Sequence, residues 1–346
     1  MKHLKRTIKL SIFLFIFFVI MMCGLYVYAF FSPSLDLKSS NNLKFYDNDN
    51  NIIKQGSSND WTELSDISPY LIDAVISIED KNFYHHQGFD YLRIAKAMIE
   101  NVKSKSIVQG ASTISQQYIK NMYLDFDKTW KRKAEEALLT LELEVHYSKD
   151  EILEGYLNSI NYGQGNFGIT SASRYYFDKE PKDLSLEEAI ILAGIPKNPN
   201  NYNPVSNYKE SINRAKIVAK AMLNNKKITN SEYNQLFKNN IKLAKTDDNN
   251  KAMTLYYIDA VLDELHTIKE IPNSLISSKG LKIYTYYDPD AEKLLEEAIN
   301  NNIKDSDIEE ASIMLDPHTG GIIALSGGTD YSKSQSPAAT TSVRAR

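Results

Sequence analysis

The sequence predicts a mainly α-helical chain: one transmembrane helix, then a helical domain, then a short α/β segment. Three observations predict it. Leu10 to Phe31 is an uncharged, mostly apolar run of 22 residues. From Ser68 to about Phe237, apolar positions recur at helical spacing. Beyond that, Leu281-Lys282-Ile283-Tyr284-Thr285-Tyr286 alternates as a strand does.

Residues 1–9 form a basic tail with Lys2, Lys5, Arg6 and Lys9, and no acidic residue falls in the first 31 positions. At about 1.5 Å per residue, the apolar run at 10–31 is long enough to cross a hydrocarbon core of roughly 30 Å. The one-sided basic cluster predicts a cytoplasmic N-terminus, a single-pass cell-membrane location and an extracellular catalytic part. The alternative is a cleaved signal peptide ending near Val27-Tyr28-Ala29, but the run exceeds the roughly 7–15 apolar residues of a signal core. Cys23 is the only cysteine and lies inside this run, so the rest of the chain has neither a disulfide nor a thiolate metal site.

Residues 32–60 are polar and Asn-rich, and read as a stalk holding one short hairpin around Asp47-Asn48-Asp49-Asn50-Asn51. Residues 61–237 form the helical domain. Ser68-Pro69 reads as an N-cap followed by a first-turn proline. Capping boxes are expected at Ser148 to Glu151, Ser185 to Glu188 and Thr229 to Glu232. Residues 238–346 read as a linker and a small α/β segment. In it Ser312 to Leu315 and Ile322 to Leu325 are strands joined by Asp316-Pro317-His318-Thr319-Gly320.

Composition narrows the function. The 346 residues are 42% hydrophobic and 24% charged, ordinary for a folded protein and wrong for a disordered or multi-pass chain. Past Phe31 there are 36 basic against 44 acidic residues, a poor balance for non-specific nucleic-acid binding, which depends on a cationic field. An anionic ligand must be held by a local basic cluster.

Four constellations carry chemistry. Glu79-Asp80, with Phe83, His86 and Gly88, ends an apolar helix at a turn. Gly110-Ala111-Ser112-Thr113 with Gln116, Gln117 and Lys120 offers hydroxyls and backbone N–H groups at a helix start, a setting suited to phosphate or sugar. Lys131-Arg132-Lys133 with Glu136 places Arg132 and Glu136 on one helix face. Glu154-Gly155-Tyr156-Leu157-Asn158 reads as core with Asn158 as a polar tie. Each alone has a bland alternative: a solvated helix end, a turn, an exposed ion pair.

In this order and spacing they resemble the peptidoglycan glycosyltransferases that form the N-terminal half of class A penicillin-binding proteins. That family reads E-D-x-x-F-x-x-H-x-G, G-[GA]-S-T-[IL]-[ST]-Q-Q, R-K-x-x-E and K-x-x-I-L-E-x-Y-L-N, then A-x-L-A-G-x-P-x-x-P-x-x-Y-N-P. The resemblance covers about residues 60–223, and it implies a lysozyme-like fold and a hexosyltransferase that polymerises lipid II in cell-wall synthesis. It implies Glu79 as base and Glu136 as a second catalytic carboxylate. Phe83, His86, Ser112, Thr113, Gln117, Lys120, Arg132 and Lys133 are implied as substrate-binding positions. It implies no certain cofactor; a divalent cation, Mg or Mn, at the pyrophosphate is the one candidate, and the sequence shows no ligand cluster for it. The implied partners are lipid II, the growing glycan strand, the lipid bilayer and other cell-wall synthesis proteins, with no nucleic acid.

Residues 281–330 resemble only the opening of a transpeptidase domain. The single S-x-x-K, Ser206 to Lys209, falls within the glycosyltransferase region and no K-T-G exists, so transpeptidase activity is not expected. Two other readings compete: a non-catalytic cell-wall scaffold or inactive fragment, and a lysozyme-like enzyme that cleaves glycan.

Overall fold

The computed structural model describes residues 2–37, 44–55, 61–104, 110–124, 129–163, 166–199, 201–205, 207–244, 249–265, 267–268, 271, 281–302 and 310–326. Ser206 and the low-complexity tail from Ser332 lie outside them. The chain divides into two compact units, Met1–Leu37 with Asn82–Tyr156, and Lys38–Lys81 with Leu157–Arg346.

The first unit holds helices α1 (Lys2–Phe31), α3 (Tyr91–Ser104), α4 (Ile114–Tyr123), α5 (Trp130–His146) and most of α6 (Lys149–Ser159). Its centre is the packing of α4 on α5, with α1 lying along α5 as well. Ile114, Tyr118, Ile119, Leu143, Ile152 and Leu153 are fully buried there.

Among the described residues, no helix is long and apolar enough to cross a membrane. This overturns the transmembrane segment expected at 10–31, the fold class built on it, and the single-pass membrane location with its bilayer contact. The difference lies in how the run is used. The helix starts at Lys2, well before the apolar stretch, and so includes the basic residues. At its far end Ala29 is fully buried, and its carbonyl accepts from His146 Nε2 at 2.9 Å and from Ser32 Oγ at 2.8 Å, while Val27, Tyr28, Phe30 and Phe31 around it are exposed.

The strap that leaves α1 is held by three tyrosines. Tyr118 OH donates to the Leu37 carbonyl at 3.0 Å, Tyr123 OH to Asp36 at 2.7 Å, and Tyr147 OH to Leu35. Burial pushes the Tyr118 hydroxyl far above its ordinary range, so it stays a donor. The Tyr118 ring in turn lies directly over Gly155 of α6, where an added Cβ would stand 2.6 Å from Cζ.

The second unit is built on α2 (Pro69–Glu79), α8 (Leu186–Gly194) and α9 (Tyr208–Asn224), packed against one another. Leu71, Val75 and Ile76 of α2 supply the buried stripe that the sequence predicts. Ser68 does precede α2, but its hydroxyl donates to Leu184 O at 3.0 Å instead of capping the helix. Asn158 is a polar tie as expected: it accepts from Thr62 N and donates to Thr62 O, each at 2.9 Å. The boxes at Ser185 and Thr229 are complete, as is the Ser148–Glu151 pair in the first unit.

A hairpin of β1 (Lys44–Tyr46) and β2 (Ile52–Gln55) is turned by Asp47, whose Oδ1 accepts from the N–H groups of Asp49 and Asn51. The sequence does not show that β1 also pairs in parallel with β3 (Lys282–Tyr284), 238 positions on from Lys44 to Lys282. Strands β4 (Ser312–Leu315) and β5 (Ile322–Ser326) form the expected second hairpin, against which α11 (Asn249–Leu265) and α12 (Pro289–Asn302) pack. Helices α7 (Ile169–Phe177) and α10 (Asn230–Gln235) complete the unit.

Two predictions follow from this packing. In Gly155→Ala, a helix gain of about 1 kcal/mol is outweighed by overlap with a ring pinned at its hydroxyl, for a net loss of about 1–3 kcal/mol. Urea unfolding measures it, and a variant as stable as the parent would disprove the close approach. The second concerns Glu292 on α12. It is 4% exposed; Oε2 accepts from Leu325 N at 3.0 Å, and Oε1 has no hydrogen-bond partner among the described residues. Burial, with a smaller push from Glu296, raises this carboxyl to about 7. In the unfolded chain it titrates near 4.3. The folded state therefore binds the extra proton, and its stabilisation is complete below about pH 4.3 and lost as pH rises through 7. The loss is on the order of 3 kcal/mol. Glu292→Gln should flatten the fall in melting temperature between pH 4.5 and 7.5; an unchanged slope would refute it.

Candidate active site

The ten expected site residues divide between the units: Glu79 lies in the second, the other nine in the first. Each group is built by its own local structure.

In the first unit α5 supplies the cations. Thr129 caps it, its hydroxyl accepting from Arg132 N at 3.1 Å, which sets Arg132 and Lys133 in the first turn. Cations there oppose the helix dipole, so they need a carboxylate nearby. Glu136 is that group. Its Oε1 accepts from Lys133 Nζ and from Gln116 Nε2 at 3.3 Å, and its Oε2 lies 3.8 Å from Arg132 Nη1. Glu136 is only 2% exposed. That decides against the exposed helix ion pair, the bland reading of this motif. A carboxylate out of water costs several kcal/mol unless it is paired and hydrogen-bonded, and here it is both. Arg132 Nε is buried and has no hydrogen-bond partner among the described residues, so the guanidinium keeps unused donor capacity.

The Gly-Ala-Ser-Thr run is an irregular segment that ends, at an extended Thr113, in a capping box. Thr113 Oγ1 accepts from Gln116 N at 3.2 Å and donates to Gly88 O at 2.6 Å; Gln116 Oε1 accepts from Thr113 N at 3.2 Å. The sequence carries its signal, since Gln stands three residues after Thr and serves as Glu does in such a box. Thr113 is fully buried, whereas Ser112 is exposed. On the same helix, Gln117 Oε1 accepts from Tyr156 OH at 3.2 Å, and Lys120 is half-buried in the last turn.

The turn after Glu79-Asp80 carries Phe83 and His86. Phe83 exposes no surface, and the His86 ring stands edge-on to it at 6.3 Å. The turn is closed by Asn82 Nδ2, which donates to Asp90 Oδ2 at 2.8 Å. Burial alone would push the Asp90 carboxyl up, but the Arg93 N–H and the Asn82 amide hold it below its ordinary value. Gly88 has φ +79, and a Cβ there would lie 2.8 Å from Thr140 Cγ2, so only glycine fits.

In the second unit Glu79 is the last residue of α2. Its Oε1 lies 3.8 Å from Arg214 Nη2, and the two side chains are 15% and 12% exposed. Arg214, on α9, also stacks over Tyr202 at 5.7 Å. The sequence reading passed over Arg214, yet a signal existed. It falls three residues after Ser211 and four before Val218, both buried, so it is a charge on the buried face of its helix.

Among the described residues, no group of three or more His, Cys, Asp or Glu is placed to hold a metal ion. A cavity of about 760 Å³ lies in the C-terminal segment between Tyr257, Val261, Ile283, Tyr286 and Leu325; none of the candidate residues lines it.

The family model described as transglycosylase matches residues 48–223. Penicillin-binding protein 2D of Bacillus subtilis (strain 168) is 42% identical over 281 residues, covering 81% of this chain and 41% of that protein. Penicillin-binding protein 1A of Neisseria lactamica is 38% identical over 248 residues, or 72% and 31% of the two chains. Penicillin-binding protein 4 of Bacillus subtilis (strain 168) is 31% identical over 329 residues, or 86% and 52%. The chain thus spans from just under a third to about half the length of these relatives. It belongs to the transglycosylase family, homologous to the class A penicillin-binding proteins.

Proposed function

We propose that this member of the transglycosylase family is a peptidoglycan glycosyltransferase that polymerises lipid II, with inversion at the anomeric carbon. The observation that carries the reading is Glu136, buried and held by Lys133, Arg132 and Gln116. A carboxylate so placed fixes two cations in a unit that ends short of neutralising them. Fixed cations suit a leaving group that gains negative charge, and a pyrophosphate does so when its bond to the sugar breaks. Plain glycan hydrolysis has no such need.

In this scheme the 4-hydroxyl of one GlcNAc attacks the anomeric carbon of the growing strand's MurNAc. Glu79 takes the hydroxyl proton as the new C–O bond forms. The electrons of the breaking bond pass to the undecaprenyl pyrophosphate, where Arg132, Lys133 and Lys120 meet the charge. Glu136 holds two of these cations. His86, Ser112 and Gln117 contact the substrate, while the buried Phe83 and Thr113 support the turns that carry them. No step is assigned to a divalent cation. Arg214 orients the Glu79 carboxylate.

The test is conversion of lipid II to glycan strands by the purified chain, resolved on a gel. Glu79→Gln should lose roughly 10²–10⁴-fold in turnover while still binding a fluorescent lipid II analogue. Glu136→Gln keeps the base but loosens the cations, so part of its loss should appear in affinity. Near-parental turnover in both variants would sink the proposal. Shortening of preformed strands would indicate a hydrolase, and binding without turnover by the parent chain a scaffold.

A further inference from the structure

One buried carboxylate of the first unit has no part in this scheme. Glu144 lies two turns beyond Glu136 on the same face of α5, and its side chain is 2% exposed. Its Oε1 accepts from Ser115 Oγ and from Lys149 Nζ, the latter at 2.7 Å. Lys149 is half-buried, with Nζ 4.6 Å from the centre of the Phe83 ring. Phe83 packs edge-on against Tyr84 at 5.2 Å and against His86 at 6.3 Å. At the other end of that turn, a Cβ on Gly88 would come within 3.2 Å of Glu144 Cγ.

Glu144 therefore reaches both ends of the turn that carries His86: Phe83 through Lys149, and Gly88 through its own stem. Through Ser115 it reaches α4, one residue from the Thr113–Gln116 capping box, whose Gln116 binds Glu136. A lysine with a four-carbon stem has many places to put its charge. Here Glu144 folds it back over the face of Phe83, where the ring quadrupole attracts the ammonium. A buried ion pair is a poor way to gain stability, since apolar residues of the same volume serve as well or better. Its effect here is geometric: one charged group ties α4, α5, the start of α6 and the His86 turn.

The geometry points to Glu144 as a positioning residue for glycosyl transfer, acting through Ser115 and Lys149 to set His86 and Ser112 against the cations on α5. This inference rests on the proposed lipid II polymerase activity, and its test separates the two. Full-length parent, Glu144→Gln, Lys149→Met, the double variant and an exposed control, Glu180→Gln, are compared in lipid II polymerisation, thermal melting and the NMR signal of the His86 ring.

Glu144→Gln should lower kcat by about 100-fold, the scale set by misplacement of about 1 Å, with KM changed by less than about threefold. The double variant leaves no unpaired buried charge, so it should regain most of the melting temperature but not the turnover. The His86 signal should shift or broaden in Glu144→Gln and stay in place in Glu180→Gln. Turnover that returns together with stability in the double variant would overturn the inference, leaving Glu144 a structural group only. So would an unmoved His86 signal, which is read without substrate. A parent chain that makes no polymer, yet whose His86 signal moves in Glu144→Gln, would refute the lipid II reading and retain the positioning role.

Discussion

The first unit depends on one constraint: α5 buries a polar stripe. Glu136, Thr140 and Glu144 recur every four residues on one face, and all three are at most 9% exposed. A helix face of this kind cannot pack on apolar neighbours without stranding charges, so each group dictates what must lie opposite it. Glu136 requires Lys133, Arg132 and Gln116; Glu144 requires Ser115 and Lys149. Thr140 returns its hydroxyl to the Glu136 carbonyl at 2.6 Å and shows a methyl to Gly88. The close approach of the His86 turn is possible only because that methyl meets a residue without a side chain.

The second unit rests on the apolar packing of α2, α8 and α9. Its buried stripes on α2, α8 and α9 are interrupted by Arg214, whose partners are Glu79 and the face of Tyr202. Gly194 lets it in, since a Cβ there would stand 3.0 Å from Arg214 Cγ. Glu79 thus ends its helix beside a fixed guanidinium. The C-terminal segment differs again: its small core of Tyr256, Tyr257, Tyr287 and Leu325 tolerates a buried carboxyl, Glu292, at the expense of its acidity.

Local features of this fold were legible in the sequence. The three Ser/Thr–Glu capping boxes, the hairpin around Asp47, the Asp316 turn and the stripe on α2 each depend on residues within about ten positions of one another. Long-range pairings were not. The parallel pairing of β1 with β3, the hydroxyl of Ser68 on Leu184 and the approach of Lys149 to Phe83 join segments whose registers nothing local encodes. The apolar run at 10–31 misled for a related reason. Hydropathy reports the apolar content of a segment and not its packing; here α1 lies along α5 and its Ala29 carbonyl meets His146, while Phe13, Phe17, Phe30 and Phe31 stay exposed. Among the site residues, the motifs carry identity and spacing but not exposure: Phe83 and Thr113 are fully buried, whereas Ser112, beside Thr113, is exposed.

The electrostatics of the chain explain why its cations need buried carboxylates at all. Beyond the first 31 residues acidic side chains outnumber basic ones, so the overall field repels an anionic ligand. Binding must then come from short-range contacts, which act within about 8 Å at physiological salt. Arg132 and Lys133 sit in the first turn of α5, where the helix dipole repels them. Left to themselves they would turn to solvent. A desolvated Glu136 interacts with them more strongly than a solvated one could, because water screens it less, although Lys133 itself is about half exposed. Since that carboxylate is shared between two cations, neither is fully neutralised, and an incoming anion finds charge that is already oriented. A lone exposed ion pair, the ordinary meaning of Arg-Lys-x-x-Glu on a helix, would fix nothing. Burial of the acid is what turns a common surface pattern into a site.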